Sequence, residues 1–269
     1  MSSVTNAITY LGLLDDEEIH LETAALELSA LDHEGLELAP YIDLLGDMEE
    51  RLATIGGDAR TGVEQGRALA RVIAGDYGFL GDPESYDAPV NADMIRVIDR
   101  RRGLPVSLSI LYVGLARRLG WRADALNTPG HVVVSLAPSD EPAIIDPFSG
   151  GRALTPDALL NLIGHALGPS GFPDELHLAA MTNRMTLVRL LLNQASRAEG
   201  TGDLARAITL YERMTIVAPG DGKGWWELSR LRLATGEIAA ARASLTAMLE
   251  TTTDPDQREH VLDALDATA

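Results

Sequence analysis

The chain has 269 residues, no cysteine and a formal net charge of −18, with 46% hydrophobic residues and a mean hydropathy near zero. These bounds describe one large or two modest globular domains. They exclude disulfides and any thiolate nucleophile or metal ligand, and they set a negative field that repels nucleic-acid phosphates and anionic lipid.

No segment approaches the ~20 consecutive apolar residues of a membrane span, and the N-terminal MSSVTNAITYLGLLDDEE lacks the positive region of a signal peptide, so a cytoplasmic setting is expected. Residues 1–50 carry thirteen acidic side chains and no Lys or Arg, which reads as a solvated acidic helix face or, more sharply, as a docking surface for a basic partner. Of the 22 basic residues in the chain, only Lys223 is a lysine.

From Asp15 to Leu31 the apolar positions Leu21, Ala24, Ala25, Leu28 and Leu31 recur at helical spacing behind an acidic first turn. A second amphipathic helix is expected from Pro40, with Tyr41, Leu44, Leu45, Met48, Leu52 and Ile55 on one face until Gly56 and Gly57 stop it. A third spans Val63 to Ala74. The stretch from Asp76 to Asn91, rich in Gly, Pro, Asp and aromatic residues, reads as a long ordered loop, with Tyr77, Phe79 and Tyr86 anchoring it or lining a pocket.

The helix after Pro105 is different, because Val106, Leu108, Ile110, Leu111, Val113, Leu115, Ala116 and Leu119 cover nearly its whole circumference. A helix apolar all round is buried. Pro105 suits its first position and Gly120 its stop. Three short strands are expected next, over Arg122–Leu126, His131–Leu136 and Ala143–Phe148, giving a mostly helical α+β core with a small antiparallel sheet.

The last third is helical and repeats. GDLARAITLYERM begins at Gly202 and GEIAAARASLTAM at Gly236, a spacing of 236 − 202 = 34 residues, which is the tetratricopeptide period. Trp225 with Leu228, Ala241 with Leu245, and Ala207 with Tyr211 keep parts of that repeat's pattern, and Val261, Leu262 and Leu265 suit a capping helix. The division expected is therefore residues 1–178 for the core with its N-terminal helices, and 179–269 for a helical repeat region.

The chemistry concentrates between Arg102 and Gly151. RGLPVSLSILYVGLARRLGW leads into PGHVVVSL and then DPFSGG, outlining a turn, a buried helix, a His at a strand start and an Asp at the next strand end. Acyl transfer needs a nucleophile, a base within hydrogen-bond reach and a group that orients the base. His131 and Asp146 suit base and orienter. Each also has a structural reading, as a strand-edge histidine and as an Asp-Pro turn opener.

Ser107 and Ser109 are the hydroxyls near the helix start. Inside a buried helix they bond just as well to carbonyls one turn back. Arg96, Arg100, Arg101 and Arg102 precede the turn and would either hold a ligand carboxylate or phosphate or pair with Asp93, Asp99 or the acidic N-terminal helices. His20, His33, His165, His177 and His260 show no metal-ligand spacing, and no cofactor motif is present.

NADMIRVIDRRRGLPVSLSILYVGLARRLGW, PGHVVV, DPFSGG and NRMTLVRLLLNQ from Asn183 make the chain resemble the bacterial SirB-type family, in which a transglutaminase-like core precedes tetratricopeptide-like helices. The resemblance implies a papain/transglutaminase-like fold, with His131 and Asp146 at the superfamily's catalytic His and Asp positions, and no settled activity. It also implies a departure, since the family's G-x-C turn becomes Gly103-Leu104-Pro105 and proline stands at the nucleophile position. Ser107, two residues on, is rotated about 200°, and Ser109, four residues on, is displaced ~6 Å along the axis.

Two functions follow as expectations. One is a non-catalytic, pseudoenzyme-like module that binds a protein or peptide through the cleft and the repeat tail. The other is a serine-dependent hydrolase or acyltransferase using Ser107, His131 and Asp146. Neither requires a cofactor, a metal, nucleic acid or a membrane.

Overall fold

The computed structural model describes residues 8–137, 142–168 and 178–268. By contacts the chain divides into a first unit, Asp16–Thr186, and a second unit made of Met1–Asp15 and Leu187–Ala269.

In the first unit, helices α1 (Leu21–Ala30), α2 (Ala39–Gly56) and α3 (Gly62–Leu69) precede a π-helical stretch, Ala70–Asp76. Strand β1 (Leu80–Gly81), α4 (Met94–Arg100), β2 (Arg102–Gly103) and α5 (Pro105–Arg118) follow. Then come β3 (Ala123–Thr128), β4 (His131–Leu136), β5 (Ala143–Asp146), β6 (Arg152–Ala153) and α6 (Pro156–Leu167). β3 to β6 form an antiparallel sheet in sequence order, while β1 and β2 pair in parallel. The architecture is α+β and mostly helical.

α5 is the centre of this unit. Every residue from Pro105 to Ala116 is buried, as its all-round apolar pattern requires. It packs on β3 and β4 along one side and on α1 and α2 along others. Two arginines close its C-terminal end. Arg118 bonds Glu22 at 2.8 Å and Glu49 at 3.0 Å, and Arg117 bonds the Ala123 carbonyl at 2.8 Å and Asp124 at 2.9 Å. Glu22 is 3% exposed, so Arg118 supplies the countercharge that its burial demands.

Three elements depart from the sequence expectation. The helix expected from Asp15 begins only at Leu21, behind a 3₁₀ turn at Asp16–Glu18. The acidic turn is occupied elsewhere: Asp16 accepts the backbone N–H groups of Asn183 (2.8 Å) and Arg184 (2.9 Å), satisfying orphan donors at the start of the helix Asn183–Gly200. The helix expected over Val63–Ala74 changes to π-helical winding at Ala70 and runs to Asp76. The strand expected to Phe148 ends at Asp146, because Pro147 has no N–H to continue a ladder and opens a 3₁₀ turn instead.

In the second unit, α7 (Asn183–Gly200, its first turn counted with the first unit) is followed by α8 (Leu204–Val217), α9 (Gly222–Ala234), α10 (Ile238–Thr251) and α11 (Pro255–Ala267). From α8 to α11 each helix packs on the next. The internal repeat is visible in the backbone. α8 and α10 start 238 − 204 = 34 residues apart, behind Gly202 (φ 81°) and Gly236 (φ 82°). Both glycines end a helix in the left-handed conformation, with the next N–H bonded five residues back, Asp203 to Ala198 and Glu237 to Arg232. Ala207 and Ala241 are both fully buried at equivalent places.

Asn183 is the polar knot of the first unit. It is 6% exposed, donates to the carbonyls of Asp16 (2.8 Å) and Ile19 (3.1 Å), and accepts from Arg117 at 2.6 Å. Asn183→Ala leaves these buried partners unsatisfied and is expected to destabilise the protein by about 2–4 kcal/mol. Chemical denaturation measures this as a lower midpoint at unchanged slope.

Candidate functional site

The site is assembled by the hairpin β3–β4 and the turn after β5. Pro129 and Gly130 (φ 67°) make a two-residue connection, so Thr128 pairs with His131 at the hairpin end and His131 is fixed as the first residue of β4. β5 runs antiparallel beside β4 and ends at Asp146. This registration brings His131 Nε2 to 2.8 Å from Asp146 Oδ1. The side chains are 15% and 6% exposed, so the pair is largely shielded from water.

Asp146 takes two more bonds: the Phe148 N–H on Oδ1 at 3.0 Å and the Ser149 hydroxyl on Oδ2 at 2.6 Å. Burial favours the neutral acid. The bonds from His131, Ser149 and Phe148 outweigh it and hold the carboxyl below the usual range. The Phe148 ring meets the His131 ring edge-on at 5.9 Å, and Tyr86 meets Phe148 at 5.7 Å. Gly81 lies under this aromatic layer, where a Cβ would come within 2.5 Å of the Phe148 ring. The Tyr112 hydroxyl is buried with no hydrogen-bond partner among the described residues, and burial together with the nearby Asp146 charge pushes its ionisation upward.

An imidazole held through Nε2 by a carboxylate has a fixed ring orientation and a fixed tautomer, with Nδ1 left as the acceptor. An arrangement of this kind can serve as base and orienter in acyl transfer. The serine hydroxyls are placed differently. Ser107 is 0% exposed, accepts the Leu104 N–H at 2.8 Å and lies 2.8 Å from the Asn91 carbonyl, to which it donates. It therefore serves the start of α5 as its third residue, closing back on the residue before the helix. Ser109 is also 0% exposed and donates to the Val132 carbonyl at 3.4 Å. Pro105 occupies the first helical position and is buried. The structure brings His131 and Asp146 together, and no hydrogen bond joins either serine to His131 among the described residues.

The arginines before the turn separate in role. Arg100 bonds Asp82 and Asn91, both at 2.7 Å, and Arg96 lies 3.9 Å from Asp99. Arg102 donates to the carbonyls of Gly78 and Arg101, and Arg101 stacks over the buried Phe79 at 4.5 Å from its ring centre. Of the histidines, His33 bonds Asp93 at 2.6 Å, His165 bonds the Asn161 carbonyl, and His260 stacks on Trp226; His177 lies outside the described residues. Among the described residues no group of three His, Cys, Asp or Glu side chains is placed to hold a metal ion. Sequence reasoning passed over Ser149, Phe148 and Asn91. The first carries a local signal, since a hydroxyl three residues after an Asp-Pro is well placed to bond back to the carboxylate.

Because Asp146 is more acidic folded than unfolded, its contribution to stability is present above the unfolded value near ~4 and is lost as pH falls through the folded value. Asp146→Asn is expected to cost about 1–3 kcal/mol at pH 7. The gap to the unmodified chain should narrow below about pH 4, which thermal unfolding across pH 3–7 measures.

Comparison with known proteins fits this geometry. A family model described as the transglutaminase-like superfamily matches residues 38–192. A UPF0162 protein of Xylella fastidiosa is 30% identical over 89% of this chain and 86% of its own length, and one of Pseudomonas aeruginosa is 27% identical over 78% and 76%. The F-box only protein 21 of Mus musculus is 32% identical over 36% of this chain and 17% of its own length. Among solved structures, a crystal structure of menin aligns at TM-score 0.46 and 13% identity over 98% of this chain and 74% of that one, a likeness too low to argue from. With a buried central helix, a His–Asp pair across adjacent strands and a family match over more than half its length, the chain belongs to the transglutaminase-like superfamily, among the bacterial UPF0162 proteins.

Proposed function

We propose that this chain is a non-catalytic transglutaminase-like protein that binds a protein or peptide segment, using the cleft beside His131 and Asp146 together with a helical tail of tetratricopeptide type. The observation that carries the reading is the state of the Ser107 hydroxyl. It is sealed from solvent and engaged by Leu104 and Asn91. With Pro105 at the head of α5, no side chain there is free to attack a carbonyl.

The tail reading is supported by the 34-residue spacing of α8 and α10 and by their matching glycine stops. Successive helix pairs of this kind make concave surfaces suited to peptide segments. The kinship with SirB-type proteins and a cytoplasmic setting belong to the same reading, and the net charge of −18 favours a partner other than nucleic acid or an anionic membrane.

A serine-dependent hydrolase or acyltransferase is the second reading, favoured by the intact His131–Asp146 bond at 2.8 Å. It requires the Ser107 hydroxyl to leave both of its partners and reach the imidazole.

A fluorophosphonate probe decides between them. Under the binding reading, the purified chain takes up no label above that of Ser107→Ala and His131→Ala. Labelling of the unmodified chain that both substitutions abolish would establish the serine mechanism.

A further inference from the structure

A cavity of about 690 Å³ opens within the second unit, where the start of α9, the end of α10 and the start of α11 meet. Its size lies within the ~300–1,000 Å³ of small-molecule sites. One wall is apolar and flat: the Trp226 indole stacks on the His260 ring at 4.6 Å and 30°. Met248 forms the adjoining surface, so near the backbone that a Cβ on Gly222 would lie 2.8 Å from its methyl carbon.

The lining carries charged groups of opposite sign. Asp221 is engaged as the N-cap of α9, accepting the Lys223 N–H at 2.9 Å. Lys223 and Asp256 both line the cavity, are exposed, and make no ion pair or side-chain hydrogen bond among the described residues. Lys223 stands in the first turn of a 13-residue helix, whose positive pole adds to its charge. Gln257 places a neutral amide on the same lining.

A ligand carrying only a cation would satisfy Asp256 and meet Lys223 with like sign; an anion would do the reverse. One molecule with both charges on either side of an apolar group satisfies the two side chains and the aromatic wall at once. Having no net charge, it is also indifferent to the long-range field of a chain at −18. We propose that this cavity binds a free amino acid with an aromatic or other large apolar side chain, its ammonium on Asp256, its carboxylate on Lys223 and its side chain against Trp226 and Met248. The proposal does not depend on how the His131 cleft is used.

The lysine content makes the test direct. Reductive methylation with ¹³C-formaldehyde keeps the charge and labels Lys223 as the only side-chain amine in the chain. The Lys223 methyl signal is then titrated with L-phenylalanine, phenethylamine and 3-phenylpropionate at constant ionic strength. The expected result is a saturable shift with L-phenylalanine and binding about tenfold or more weaker for either single-charge fragment. In Asp256→Asn, a conservative change at an exposed position, phenylalanine should lose its advantage over 3-phenylpropionate. A fragment that binds as tightly as phenylalanine, or no saturable shift up to about 50 mM phenylalanine, overturns the proposal.

Discussion

A helix with no face left for solvent must have both of its ends closed by protein, and α5 imposes that condition on the whole first unit. At its C-terminal end the closure is ionic, through Arg117 and Arg118 to Asp124, Glu22 and Glu49. At its N-terminal end it is made by hydrogen bonds around the Asn91 carbonyl, which accepts both the Leu104 N–H at 3.1 Å and the Ser107 hydroxyl at 2.8 Å. Ser107 also accepts the Leu104 N–H at 2.8 Å, so its oxygen is engaged on both sides. Removing that oxygen from water without partners would cost several kcal/mol, so it is held tightly in a structural role.

This helix start is also where an acyl-transfer centre would carry its nucleophile, which puts structure and chemistry in competition for the same few atoms. A hydroxyl bonded to a carbonyl has given up its proton donor, and a serine is almost un-ionised near neutral pH without a base. The His131–Asp146 pair is well ordered, with its carboxylate held by three donors and its ring packed against Phe148. The pair fixes the corner between β4, β5 and the Pro147 turn. Holding that corner is a structural role for the pair, and the same bond fixes the orientation of the imidazole.

Much of the fold was legible because the signals were local. The all-round apolar pattern located α5 with Pro105 and near Gly120, the Pro-Gly hairpin located His131, and the glycines at 202 and 236 gave the repeat its period. What was not legible depended on partners distant in sequence. Asp16 reads as the first turn of its own helix, yet it caps another that begins 167 residues later. The π-helical stretch at Ala70 has no compositional mark. At the site, spacing aligned His131 with Asp146, whereas the engagement of Ser107 needed Asn91, in the 3₁₀ turn Pro89–Ala92 sixteen positions earlier. Hydrophobic periodicity reports which face is buried; it carries no information on which polar atom is used up beneath it.

The central claim is that the Ser107 hydroxyl belongs to the helix start and is not coupled to the imidazole. The ring nitrogens of His131 report on this in ¹⁵N-labelled protein, recorded for the unmodified chain and Ser107→Ala across pH 5–9. If the claim holds, both show the same tautomer, with the proton on Nε2 toward Asp146, and the same Nδ1 shift and titration. A displaced Nδ1 shift or an altered titration midpoint on losing the hydroxyl would put Ser107 on His131 and contradict the account.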